Sequence, residues 1–197
     1  RSRGYYDGVA TISVDTLPNS RNRLTATLTA TPGTRYMFGR IAVTGAAEEP
    51  TKLAVDALDL KNGSPIVAAE VEAAEASVSL RLPENGYPFV EVGQRDILLD
   101  DRDHKGDYTL PLESGPKARF GGIRTAGDPV FDAGHIKVIQ RFDRGDLYDS
   151  RQVDDLRQAF IATSLLSTVA IEPVRTGTVA ADGTETVDLL VRQSEGP

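Results

Sequence analysis

Arg35-Tyr36-Met37-Phe38-Gly39-Arg40-Ile41-Ala42-Val43-Thr44-Gly45 and Lys117-Ala118-Arg119-Phe120-Gly121-Gly122-Ile123-Arg124-Thr125-Ala126-Gly127 are two writings of one pattern. Phe38 matches Phe120, Gly39 matches Gly121, Ile41 matches Ile123 and Gly45 matches Gly127, each 82 residues on. The same offset carries Gly63 to Gly145, Val71 to Val153 and Val78 to Phe160, and it relates Gly4-Tyr5 to Gly86-Tyr87 and Gly33 to Gly115. Matches that share a single register mark an internal repeat, and a repeat governs how everything else is read. Two complete units follow, residues 34–115 and 116–197. Residues 1–33 are expected to be the back third of a preceding unit.

Each unit is expected to hold the same elements in the same order. A short strand comes first, at 36–43 and 118–125, in which the apolar phase slips between Phe38 and Ile41 and between Phe120 and Ile123. Gly39 and Gly121 stand at the slip, where a bulge or close backbone approach excludes a side chain. A short helix is expected at 51–58 and 131–139, then a turn at Gly63 or Gly145. A longer helix follows: Val153, Leu156 and Phe160, or Val71, Ala74, Val78 and Leu82, recur at spacings of three and four. Asp149 with Gln152 has the form of a capping box. Two strands close the unit, at 89–99 and 108–112, or 166–174 and 187–191. In the last of each, Tyr108, Leu110, Leu112 and Val187, Leu189, Val191 alternate, so one face is buried. At the start of the chain, Ile12 and Val14 facing Leu24, Ala26 and Leu28 repeat that hairpin. Paired amphipathic helices bury their stripes on a small sheet, which predicts an α+β fold of two layers.

Composition narrows the function. The chain has 197 residues and a formal charge of −7, with basic residues scattered among acidic ones, so no face suits nucleic acid. Cysteine is absent, which rules out disulfides and thiolate metal sites. No apolar run reaches the length of about 20 residues that a membrane helix needs. The chain opens mid-pattern at Arg1-Ser2-Arg3-Gly4 and reads as part of a longer protein.

Chemistry-bearing clusters are few, and each has a structural reading. Asp100-Asp101-Arg102-Asp103-His104-Lys105-Gly106-Asp107 echoes a calcium loop, but Leu112 occupies the place of the bidentate carboxylate and two cations lie inside it. It reads as a solvated hairpin turn. His104 and His135 fall in different units and read as exposed, structurally neutral residues. Asn62-Gly63-Ser64 matches a glycosylation sequon but coincides with the interhelical turn. No Gly-x-Ser-x-Gly elbow and no Gly-x-x-x-x-Gly-Lys loop is present. Tyr5, Tyr87 and Tyr148 recur at equivalent joints and read as packing residues. The expectation is a binding scaffold without catalysis and without a cofactor. A small metal-dependent hydrolase stands as a remote alternative, one that a bound divalent metal or a deep pocket joining both units would favour.

Three segments resemble POTRA domains, the periplasmic modules of outer-membrane barrel proteins that transport or insert polypeptides. They are Arg119-Phe120-Gly121-Gly122-Ile123 through Gly127; Arg144-Gly145-Asp146-Leu147-Tyr148-Asp149 with Leu165-Leu166-Ser167-Thr168-Val169-Ala170-Ile171; and Gly86-Tyr87-Pro88-Phe89-Val90-Glu91-Val92. The likeness is greatest to the outer-membrane subunit of the translocation and assembly module, which promotes autotransporter assembly. The alternatives are another barrel insertase or a two-partner secretion transporter. Ser164 departs from the pattern, since the family often has glycine there. The resemblance implies tandem β-α-α-β-β modules, each a three-stranded mixed sheet covered on one face by two helices. It makes residues 34–115 the second such domain and 116–197 the third, with Ser194-Glu195-Gly196-Pro197 leading to the protein's own C-terminal barrel. It implies the periplasmic face of the bacterial outer membrane. The implied partners are extended or unfolded outer-membrane client polypeptides and a periplasm-spanning inner-membrane subunit. Clients would add to the edge formed by the second strand, at Phe89, Val90, Glu91 and Val92 and at Thr168, Val169, Ala170, Ile171 and Glu172. Pro173 suits such an edge, because it donates no hydrogen bond and blunts uncontrolled pairing. Pro111 has no such explanation in the sequence.

Overall fold

In a computed structural model of the chain, residues 13–15, 23–25 and 35–197 are described, and the first two segments only as strands. The chain divides into two compact units, one of residues up to Arg81 with Val90–Ser114, the other of Leu82–Phe89 with Gly115–Pro197.

The first unit contains β1 (Ser13–Asp15), β2 (Arg23–Thr25), β3 (Met37–Thr44), α1 (Glu48–Leu58) and most of α2 (Ala68–Glu84). It continues with β4 (Glu91–Val92), β5 (Asp96–Asp100) and β6 (Lys105–Glu113). β6 is its axis, pairing in parallel with β3 and antiparallel with β4 and β5. β2 pairs antiparallel with β5, and β1 with β2. The second unit holds β7 (Ala118–Gly127), α3 (Ala133–Ile139), α4 (Ser150–Ala162), β8 (Leu166–Val179) and β9 (Glu185–Glu195). Its sheet runs β7-β9-β8, with β9 parallel to β7 and antiparallel to β8. A tight turn makes the second and third strands antiparallel. The first and third can run in parallel only because the helices carry the chain across between them.

The repeat extends to the hydrogen bonds at Phe38 and Phe120. Phe38 N–H donates to the Ser64 carbonyl and Gly63 N–H donates to Phe38 oxygen, both at 2.8 Å. Phe120 N–H donates to Asp146 oxygen and Gly145 N–H to Phe120 oxygen, again both at 2.8 Å. Phe38 and Phe120 are each 1% exposed, at the centre of their own cores. Phe38 meets Tyr108 edge-on with ring centres 6.2 Å apart, whereas Phe120 stacks on Phe142 at 4.1 Å. The helix stripes are buried as their spacing requires, through Val71, Val78 and Leu82 on α2 and Val153, Leu156 and Phe160 on α4.

The register slips between Phe38 and Ile41 and between Phe120 and Ile123, where the phase of the apolar residues places it. A carboxylate from the third strand holds each bulge. Arg40 N–H donates to Asp107 Oδ1 and Gly122 N–H to Asp188 Oδ1, both at 2.8 Å. A Cβ on Gly39 or Gly121 would collide with that same oxygen. Only glycine leaves the carboxylate room.

The expected second strand at 89–99 is two pieces, Glu91–Val92 and Asp96–Asp100. Pro111 is the cause. Gly93 N–H donates to the Pro111 carbonyl at 2.8 Å, and proline has no N–H to return. A Cβ on Gly93 would stand 2.9 Å from Pro111 Cβ, so the two backbones approach closely. The expected capping box is a simpler cap. Asp149 accepts from Arg151 N–H at 2.9 Å, and the Arg151 guanidinium doubles back onto the same carboxylate. Gln152 contributes only its backbone N–H, to Asp149 oxygen. β8 extends past the expected residue 174 to Val179, held by the Thr176 hydroxyl donating to Thr186 oxygen at 2.6 Å. Val14 lies opposite Leu24 in the first hairpin, while Ile12, Ala26, Leu28 and Tyr5 fall outside the described residues.

Candidate partner-binding edge

Five of the expected edge residues lie together on β8. Thr168, Val169, Ala170, Ile171 and Glu172 stand opposite Ser194, Gln193, Arg192, Val191 and Leu190 of β9. Val169 is buried, Ile171 half-buried, and Thr168, Ala170 and Glu172 are exposed. Among the described residues β8 pairs with no strand but β9, so its outer main chain is open. Pro173 shows which groups face outward. The ladder runs unbroken through Pro173 opposite Leu189, so the proline nitrogen lies on the side away from β9. Backbone direction alternates with a period of two, which puts the N–H groups of Val169 and Ile171 on that open side as well.

The other four are placed differently. Glu91 and Val92 form β4 and pair with Glu113 and Leu112. Val90 precedes that strand, and Phe89 lies in a turn of the second unit, where the Arg175 guanidinium sits 5.8 Å from its ring centre. β8 corresponds to β4 and β5 together: Glu91 and Val92 pair with Glu113 and Leu112 as Thr168 and Val169 pair with Ser194 and Gln193, and β5 matches the stretch around Pro173. Ile97 stands opposite Tyr108, whose parallel partner is Ile41; Pro173 stands opposite Leu189, whose parallel partner is Ile123. Ile97 and Pro173 are therefore equivalent. On β5 that position is already paired, with Leu24 of β2. One unit thus carries an added strand at the place where the other has a proline. The constant offset of the repeat hides this equivalence, because the turns between second and third strands differ in length.

Polar groups elsewhere serve the fold. Glu75 of α2 accepts from Arg95 Nε at 2.7 Å, from Arg95 Nη2 at 2.8 Å and from the buried Tyr108 hydroxyl at 2.6 Å. Burial, then the hydrogen bond to Glu75, drives the Tyr108 phenol far above the ordinary tyrosine range. In the second unit Arg175 grips Glu185 through two bonds of 2.8 Å, which hold the Glu185 carboxyl below its usual range. Neither network announces itself in the sequence, since its members stand 10 to 33 residues apart with no motif between them.

The acidic cluster at 100–107 is a turn whose carboxylates point to separate partners. Asp101 accepts from the Tyr36 hydroxyl at 2.8 Å, Asp100 from Arg102 N–H at 3.0 Å, and Asp107 serves the bulge. His104 lies edge-on to Tyr36 in that turn, and His135 is exposed beside Asp132 on α3. Among the described residues no group of three or more His, Cys, Asp or Glu is placed to hold a metal ion. Asn62, Gly63 and Ser64 form a tight turn with Gly63 at φ +86°.

No family model matches the sequence. Solved structures do share its fold. POTRA domains 3–5 of BamA from Haemophilus influenzae superpose with a TM-score of 0.63 at 17% identity, covering 98% of this chain and 75% of that one. BamA from Haemophilus ducreyi lacking POTRA domains 1–3 gives 0.62 at 17% identity, over 81% of this chain and 29% of that one. The chain thus spans under a third of the length of the second protein. The fold is that of POTRA domains: mixed sheets, each with its pair of helices, three-stranded in the second unit and extended by β1 and β2 in the first.

Proposed function

We propose that the chain is the POTRA region of an outer-membrane barrel protein that assembles or secretes other polypeptides, and that it acts at the periplasmic face of that membrane as a scaffold and not as an enzyme. Extended client or partner segments add to the outer edge of β8, pairing with the main chain at Val169 and Ile171. The observation that carries this reading is that β8 pairs only with β9 among the described residues, while in the first unit, built to the same design, β2 has added to the edge at β5. Main-chain pairing asks little of the partner's sequence, which suits a protein with many clients. Val169 and Ile171 keep their side chains on the sheet while their N–H groups remain available.

Within this class, the resemblance, which spans nearly the whole chain, favours the autotransporter-assembly subunit, with a periplasm-spanning inner-membrane partner. The likeness to BamA POTRA domains favours a general barrel insertase as the second reading. Co-purification from cells separates them: an inner-membrane partner protein is expected with the first and not with the second.

The edge itself is tested by proline. Ile171→Pro removes an outward donor without touching the ladder to β9, so the unit stays folded and loses affinity for extended outer-membrane segments by about five-fold or more. Ala170→Pro breaks an inward bond and is expected to cost stability instead. Unchanged peptide affinity in a folded Ile171→Pro protein, measured by fluorescence titration, rules out the edge.

A further inference from the structure

The second unit pairs its cations almost everywhere. Of its eight arginines, Arg119, Arg124, Arg151, Arg157, Arg175 and Arg192 lie 2.8–3.4 Å from a carboxylate. Arg141, Arg144 and Lys137 have no carboxylate partner among the described residues. These three exposed side chains all fall within residues 137–144, at the end of α3 and in the loop beyond it. Between them stands Val138, 84% exposed, more than any other large hydrophobic described.

The fold does not require this arrangement. At the same places the first unit has Val55, Asp56, Asp59 and Asn62 instead of Lys137, Val138, Arg141 and Arg144. The alignment is secure, because Ala54 and Ile136 match and both are fully buried. The first unit carries negative charge where its twin carries, within residues 137–144, an exposed valine and three cations without a carboxylate partner, Lys137 and Arg144 lining one cavity and Arg141 another with Asp155. The protein as a whole has a formal charge of −7, so a local patch of this sign has to act at short range.

We propose that this end of α3 docks on a membrane surface that contains anionic lipid. Three flexible cations contribute point-charge attraction to headgroups, and Val138 enters the interfacial region. A protein partner is disfavoured by the make-up of the patch, which has one valine and no exposed aromatic anchor, whereas a protein interface needs a packed apolar centre. Lys137 and Arg144 also line a cavity of about 330 Å³ against Gly121, Gly122 and Phe142, where a headgroup phosphate can sit. Asp143 lines the same cavity and opposes the phosphate, but the two cations outnumber it. α3 packs on β7, at the opposite end of the sheet from β8, so the docking surface and the strand-accepting edge are separable.

The test is sedimentation of the whole chain with vesicles of phosphatidylcholine alone or mixed with phosphatidylglycerol. Binding to the mixed vesicles is expected, with loss in high salt and little binding to phosphatidylcholine. Lys137→Gln and Arg141→Gln are each expected to weaken it about five-fold, and Lys137→Arg to retain it. Val138→Asp weakens it further, while Arg157→Gln, which removes a paired cation, does not. These side chains are exposed, and circular dichroism checks that each variant is folded. Equal binding to both vesicle types, or undiminished binding by the folded Lys137→Gln/Arg141→Gln variant, overturns the proposal. So does capture of an acidic polypeptide with no binding to vesicles. None of these outcomes touches peptide addition at β8, which Ile171→Pro tests separately.

Discussion

Ser164 shows how a single residue can hold a turn against its own preference. It follows α4 with φ +60°, the left-handed region that glycine enters freely and other residues enter at a cost. Ser164 N–H donates to Ile161 oxygen at 3.1 Å, so the turn forms even without glycine. Ser164→Gly is expected to stabilise the second unit by about 1 kcal/mol, read as a higher urea midpoint with an unchanged slope. Tyr148 makes a different single-residue statement. Burial, reinforced by the negative charge of Asp149, pushes its phenol up to about 12 from the ordinary value of 10. Between those values the folded protein keeps a proton that the unfolded chain gives up. Stability is therefore intact below pH 10 and falls as pH rises through the range up to 12. Tyr148→Phe removes this titration, so its alkaline loss of stability is expected to be shallower than that of the parent in denaturation curves above pH 10.

At the scale of elements, the bulged first strand and the third strand depend on each other. The glycine was legible as a slip in apolar phase, but the carboxylate that makes the slip useful was not. Asp107 looked like one more acid in a solvated turn, and Asp188 like the polar half of an alternating strand. Gly121→Ala puts a Cβ about 2.5 Å from Asp188 Oδ1 and is expected to cost about 1–3 kcal/mol. Asp188→Ala leaves Gly122 N–H and Arg124 without their acceptor, at about 1–3 kcal/mol. Removing the carboxylate also makes room for the new methyl group. The double variant is therefore expected to lose less than the two single losses combined, and a double-mutant cycle by chemical denaturation reads the difference. Strict additivity would mean that Thr186, not Asp188, sets the steric limit at Gly121.

Across the whole molecule, one design is used twice and finished differently. The two cores rest on equivalent phenylalanines, bulges and interhelical turns, yet the edges diverge. β5 carries β2 as a further strand, whereas β8 presents an open side interrupted by Pro173. An open edge invites pairing with other copies, and a proline in it limits the length of strand that can add. Pro173→Val restores the outward donor that Ile97 has, and it is expected to increase self-association in sedimentation velocity. A variant that stays as monomeric as the parent would show that Pro173 is not what protects the edge.

The order of elements, the repeat and the place of each bulge are properties of the sequence itself. They are written in short-range signals: apolar residues at helical or strand spacing, and glycine where the phase slips. Tertiary structure alone decided which carboxylates hold the bulges, that Pro111 divides the second strand, that Glu75 gathers Arg95 and Tyr108, and that one edge is occupied while the other is open. Those features depend on strand register across dozens of residues. Register is set by the packing of both layers at once, and no local spacing records it.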